Sequence, residues 1–421
     1  MVRNGAIGVA LAALLLTSAC GTPSNGDPSG PDGSDFPLQF GSDGYDGVSS
    51  MKLDGEGNLR LAGATEGTLG EESNGGLDAY VRTVAPDGSV NATDQFGTAE
   101  SDSAADLDVA ADGRTVVAGT TEGDLAGTNQ GVGDAFVRVI DPAGDTQWVD
   151  QFGTSADDDA TGVAFAGNGD VVVAGVTDGD LAGSNAGGSD VFVRRYDADG
   201  QAVAWTDQFG SDENDFNVGV TTDPSGNVIV IASVLGDVEG HRGESDGLVR
   251  KYDPTGNVAW TLQFGTPAND YVYAVATDED GNVYIGGRTS AALGEELLGG
   301  SDAILLKLAP DATAQWTRQF GTEASDRVTA IAAEGGEVVV AGQTDGDLEG
   351  AAAGEGDVFV RRYDDDGNEL GTVQFGTPEE DWAFGVALDD AGRVLVAGDT
   401  EGSLGGENAG DYDAFVHRVN P

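Results

Sequence analysis

Apolar and polar residues alternate along this chain in short runs, each closed by a turn signal, and the same order of runs returns about every 56 residues. The tripeptide Gln-Phe-Gly marks the period, starting at Gln39, Gln95, Gln151, Gln208, Gln263, Gln319 and Gln374. The intervals are 56, 56, 57, 55, 56 and 55 residues, a spacing that signals a repeat array. The third copy predicts four strands, a to d: Asp159–Ala166, Val171–Thr177, Asp190–Asp197 and Ala202–Phe209. Turns at Gly167–Asp170 and Ala198–Gly200 separate a from b and c from d, and a long loop joins b to c. The a–b turn holds glycine in every copy (Gly57, Gly113, Gly169, Gly226, Gly281, Gly336 and Gly392), as a turn with positive φ requires.

The two ends of the array set its topology. The last copy supplies strands a, b and c, ending in DAFVHRVN, whereas Phe36–Phe40 (FPLQF) is a d strand with no a, b or c before it. Joining them closes a ring, which removes exposed sheet edges. The expected fold is therefore all-β: a seven-bladed β-propeller over residues 36–421, four antiparallel strands per blade, closed by strand 36–40. Strand a is rich in small side chains, as in Ala160–Ala166, which suits a crowded axis. Strand d carries Trp148, Trp205, Trp260 and Trp316, expected to pack between blades. The pattern Trp-x-x-Gln-Phe-Gly, with runs such as Asp112–Thr121 ending in Ala-Gly-x-Thr, resembles the SBBP-type β-propeller repeat of bacterial surface and secreted proteins. The resemblance covers residues 36–421 and implies a fold, since no shared catalytic residues accompany it.

Two aspartates recur in each copy. One stands five residues after the glycine of Gln-Phe-Gly: Asp46, Asp102, Asp158, Asp215, Asp270, Asp326 and Asp381. The other opens strand c: Asp78, Asp134, Asp190, Asp246, Asp302, Asp357 and Asp413. With strands alternating in direction, both sets fall on the face that carries the b–c loops. Carboxylates beside loop carbonyls suit calcium, which makes the first set a speculative metal site. Recurrence in every blade favours aspartates that accept turn N–H bonds, and the strand-c set is assigned as turn pins. No EF-hand spacing is present, so the reading is no metal and no cofactor, with calcium as the open alternative.

An arginine follows the strand-c aspartate by four residues in five copies (Arg82, Arg138, Arg194, Arg250 and Arg361), expected to cover apolar surface with its stem. An aliphatic residue in each b–c loop (Leu69, Leu125, Leu181, Val238, Leu293, Leu348 and Leu404) is expected to plug the loop onto its blade. The fourth and fifth copies depart most: Val234 replaces threonine, and His241-Arg242 and Leu297-Leu298 enter the loops. The loops Ser233–Asp246 and Thr289–Asp302 are thus the expected partner region.

Charge and composition narrow the function. The chain carries 74 acidic against 19 basic residues, a formal net charge of -55, which argues against nucleic acid as a partner. A single cysteine excludes internal disulfides and cysteine zinc sites. Two histidines, His241 and His417, leave little room for a Ser-His-Asp triad. At the N-terminus, Arg3 precedes the 11-residue apolar run Ala6–Leu16, too short for a bilayer of about 30 Å and of signal-peptide size. The sequence Leu16-Thr17-Ser18-Ala19-Cys20 resembles a bacterial lipoprotein signal. Residues 1–19 read as a signal peptide, Cys20 as the lipid attachment site, and residues 20–35 as a Gly/Pro/Ser tether.

Three functions remain: a lipid-anchored surface platform that binds protein or glycan without turnover, a carbohydrate hydrolase or lyase using rim carboxylates, and a calcium-stabilised envelope module. The blades' likeness to one another favours the first, with no catalytic residues assigned and a monomeric, exported, envelope-bound protein expected.

Overall fold

The computed structural model describes residues 36–421 apart from 71, 72, 201 and 390. The expected signal peptide, Cys20 and the tether lie outside the described residues. The described residues form seven four-stranded antiparallel sheets arranged as blades around an axis. Blade 1 comprises Asp46–Leu53, Leu59–Thr65, Asp78–Val84 and Val90–Phe96 as strands a to d, and the later copies follow the same scheme. In blade 3 strand a runs Asp158–Phe165, one residue earlier than the alternation predicts. Blade 7 is assembled from both ends: Leu38–Phe40 pairs with Asp413–Val419, placing Gln39 opposite Phe415. All seven a–b turn glycines have positive φ, from 72° at Gly392 to 88° at Gly169.

Strands b and c are buried almost throughout, because each blade is covered on both faces by its neighbours. That double cover explains why strand b reads as a continuous apolar run, as in VVVAGVT. The core is divided among the seven blade junctions; one cluster joins Val116 and Val137 of blade 2 to Val163 and Val171 of blade 3. Strand d is the exposed outer strand, with its tryptophans half buried against the junctions; the Trp148 ring lies 5.5 Å from that of Tyr196.

The seven a strands line the axis, where side chains stitch blade to blade: Thr161 donates to the Val218 carbonyl (2.8 Å) and Thr329 to that of Ala383 (2.6 Å). In blade 2 the axial Asp106 and Asp108 take over that role, accepting from the N–H groups of Val163 (2.9 Å) and Phe165 (2.8 Å). In six blades the a strand breaks register with its b strand three residues after its aspartate, a bulge that re-aims the unpaired side chain; in blade 4 the break spans Asn217 and Val218.

Candidate functional site

On the loop-bearing face, the glutamine of Gln-Phe-Gly is the hub of each blade. In blade 1, Gln95 donates from Nε2 to the Gly67 carbonyl (2.9 Å) and to Asp78 Oδ2 (2.9 Å), while its Oε1 accepts from the Leu69 N–H (2.9 Å). The same three contacts are made by Gln151 and Gln263, and by Gln39 across the ring closure to Gly402, Asp413 and Leu404. The glutamine therefore fastens loop, strand c and strand d at one point. Its amide matches a carbonyl, a carboxylate and an N–H together, which explains why the marker of the period is glutamine.

Both aspartate sets lie in this rosette and are buried. Strand-c aspartates accept from the N–H four residues earlier, as Asp78 does from Asn74 (2.9 Å) and Asp357 from Ala353 (2.8 Å). Strand-a aspartates accept from both the N–H and hydroxyl of a residue four before, as Asp158 does from Thr154 (2.5 and 2.9 Å). The two carboxylates of a rosette approach the Gln-Phe-Gly glycine: a Cβ on Gly97 would sit 2.6 Å from Asp78 Oδ1 and 2.9 Å from Asp102 Oδ2. Among the described residues, no three His, Cys, Asp or Glu side chains converge to hold a metal ion.

A threonine ends strand b beside the strand-a aspartate in six blades; the Thr65 hydroxyl donates to Asp46 Oδ1 (2.5 Å), whereas that of Thr289 donates to the Ala291 carbonyl of its b–c loop (3.0 Å). Blade 4 has Val234 there, and burial pushes the Asp215 carboxyl up to about 6. At the junction of blades 7 and 1, burial pushes Asp399 up to about 7 against the N–H of Val48, which donates to it at 2.7 Å.

The recurring arginines stack on the preceding blade. The guanidinium of Arg82 lies 3.9 Å from the Phe40 ring centre, Arg194 3.9 Å from Phe152 and Arg250 3.7 Å from Phe209. Arg138 adds an ion pair to Asp94 of the neighbouring blade (2.9 Å). They join phenylalanine to strand d, since Arg250 also donates to Thr261 (3.0 Å). In blade 7 His417 takes the place, 4.7 Å from the Phe375 ring, and burial lowers its pKa to about 4.

One residue past each strand-a aspartate, the repetition stops. That position holds Gly47, Ser103, Asp159, Phe216, Tyr271, Arg327 and Trp382, no two alike, at the mouth of the axis on the loop-bearing face. Its partners on strand b also differ in all seven blades, among them Arg288 opposite Tyr271. Two residues on, the bulge points Tyr273 and Phe384 toward a central cavity of about 200 Å³. Blades 5 and 7 each present a stacked pair, Tyr271 with Tyr273 (6.4 Å) and Trp382 with Phe384 (6.1 Å, planes 3° apart). Arg327 of blade 6 stands between them, 4.4 Å over the Trp382 ring, and Arg288 lies 4.8 Å from that of Tyr271. All six side chains are partly exposed. Comparing this position across the seven copies would have found this cluster, whereas comparing loops singled out His241 and Leu298.

The two loops singled out from sequence carry their unusual residues beside the strand-c aspartates. His241 Nδ1 lies 3.4 Å from the turn-pinning Asp246, and Leu298 is exposed while its N–H donates to Asp302 (3.0 Å). The opposite face opens into a cavity of about 820 Å³ ringed by a–b turns. Asp112, Asp223 and Asp278 on its wall cap their own turns; Asp278 accepts from the N–H groups of Asp280 (3.0 Å) and Asn282 (2.8 Å).

Residues 259–295, from strand d of blade 4 into the b–c loop of blade 5, match the SBBP family model, a beta-propeller repeat. The regulatory protein FlaEY of Caulobacter vibrioides is 29% identical over 178 residues, covering 38% of this chain. The match spans about a fifth of that relative (19%). Among solved structures, an ulvan lyase of family PL25 superposes with a TM-score of 0.53 at 14% identity, over 91% of this chain and 96% of that one. The Pan2 WD40 domain of Neurospora crassa gives 0.52 at 10% identity, over 89% and 90%. These likenesses are of fold.

Proposed function

We propose that the chain is an exported propeller, tethered to the cell envelope through a lipid on Cys20, that binds a ligand on its loop-bearing face without turning it over. One observation carries the reading: the recurring rim carboxylates are pinned through one oxygen as acceptors of backbone N–H groups, the other oxygen of the strand-c set being buried beside the Gln-Phe-Gly glycine, while side-chain identity varies completely at the adjacent axial mouth. Carboxylates fixed in that way build loops, and a varied mouth on a rigid ring suits recognition.

The test is to offer the full chain to glycan and protein arrays and to follow any captured ligand by mass spectrometry. Capture with the ligand recovered intact is expected; release of shortened or unsaturated sugar would instead establish a hydrolase or lyase. Replacing Cys20→Ala should move the protein from the membrane to the soluble fraction, and retention in the membrane would contradict the anchor. A melt in chelator and then in millimolar calcium, with magnesium and sodium controls, should show no calcium-specific rise. Such a rise would make the rim aspartates ligands.

A further inference from the structure

The mouth of the axis has a chemistry unlike the rest of the surface. In a chain with 74 acidic and 19 basic residues, most arginines of the structure are spent on neighbours: Arg195 pairs with Asp170 (3.0 Å) and Arg114 with Asp112 (2.9 Å). Arg288 and Arg327 are different. Among the described residues neither guanidinium has an ion-pair or hydrogen-bond partner, and each rests on an aromatic ring. The Nε of Arg288 is buried with no acceptor. The charges of Arg288, Asp345 and Glu380 all reach Arg327. Of these acids, Glu380 is held by the Trp382 indole (3.3 Å) and the Tyr412 hydroxyl (3.3 Å), and Asp345 is exposed at the rim. Two guanidiniums thus share a half-buried mouth with no counter-ion bound to them, and burial with the Arg288 charge lowers the Arg327 pKa.

The walls add shape. The Tyr271–Tyr273 and Trp382–Phe384 pairs flank Arg327 from the blades on either side, each offering flat apolar surface partly open to solvent. Flat rings match the apolar face of a sugar ring, and a guanidinium fork matches a carboxylate with two parallel bonds. The net charge of -55 sets a limit in the other direction, because it repels a ligand of high charge density. The occupant must therefore carry few charges and bring them to the arginines. We infer that the axial mouth binds a short oligosaccharide through a terminal carboxylated sugar, its carboxylate on Arg288 and Arg327 and its ring against the aromatic walls. This assignment rests on the binding-platform reading and names its ligand class.

The experiment titrates the full chain, by tryptophan fluorescence and calorimetry, with tetrasaccharides ending in glucuronate or galacturonate and with their neutral parents. At least one acidic sugar should bind, its neutral parent at least about tenfold more weakly, the loss expected of one charge-assisted hydrogen bond. Arg327→Gln and Arg288→Gln should each weaken the acidic sugar about tenfold or more with an unchanged melt, and Trp382→Phe should abolish most of the fluorescence change. Arg327→Lys should recover part of the affinity, because a point charge replaces the fork. Equal binding of acidic and neutral sugars would overturn carboxylate recognition while leaving the platform reading intact. Equal binding of uridine monophosphate or inorganic phosphate would overturn the sugar assignment. No acidic sugar bound, with array capture surviving the double arginine variant, would place the binding surface elsewhere. No capture of any kind would remove the platform reading too.

Discussion

Around the loop-bearing rim, seven blades solve one packing problem with the same residues: a glutamine, two aspartates and a glycine. A single residue further along each inner strand, the seven blades carry seven different side chains. Both positions pair with strand b in every blade, so backbone pairing does not explain the contrast. At the rim, each polar side chain satisfies buried loop N–H groups that would otherwise cost about 1–3 kcal/mol apiece. At the mouth, Tyr271, Arg327 and Trp382 make ring and cation–π contacts and meet no such demand. The repeated residues build the ring, and the unrepeated ones are free to serve a ligand.

The largest effect is expected at the ring closure. Deleting Phe36–Phe40 removes the buried Phe36, the Gln39 rosette and the Phe40 platform under Arg82. Calorimetry should show a loss on the order of 5 kcal/mol or more, with binding lost through unfolding. Next is the rosette itself. Gln263→Ala strands the Val238 N–H, the Gly236 carbonyl and Asp246, and should cost about 2–4 kcal/mol in denaturant titration. It should leave mouth affinity unchanged while the protein stays folded; a loss of affinity larger than any loss of stability would join the two regions functionally.

Per unit of pH, a smaller effect comes from a buried carboxyl. Asp399 binds its proton more tightly folded, at about 7, than at its ordinary 3.8. Stability from this group is present below about pH 4 and falls as pH rises toward 7, by at most about 1.4 kcal/mol per unit. Asp399→Asn should remove that slope and gain on the parent as pH is raised, and parallel pH–stability curves would contradict the assignment. The smallest change repairs blade 4: Val234→Thr should supply the missing hydroxyl to Asp215, lower its pKa from about 6 and add about 1 kcal/mol at pH 7. Carbon NMR of the carboxyl titration reads the shift directly.

Most of the fold was legible in the sequence because a propeller writes its architecture periodically. The Gln-Phe-Gly interval set the blade count, the turn glycines set the strand ends, and FPLQF set the closure. The reason for the glutamine was not legible, since its partners Gly67, Asp78 and Leu69 meet only once the b–c loop folds back on strand d. Stacking of Arg82 on Phe40 was hidden likewise, because its two residues belong to different blades. The mouth was missed for another reason. Searching for what recurs selects residues that build the ring, whereas Tyr271, Arg327 and Trp382 stand out because they differ. Their convergence depends on the bulge and on the closed ring.

The most direct test sets affinity against stability in two variants measured side by side. Arg288→Gln/Arg327→Gln and Gln263→Ala are each titrated with the acidic tetrasaccharide and each melted. The account predicts that the arginine pair loses affinity about a hundredfold, tenfold for each guanidinium, with its melt intact, and that the glutamine variant loses stability with its affinity intact. The reverse pattern, or both properties falling together in both variants, would contradict the division between a repeated scaffold and a single recognition site.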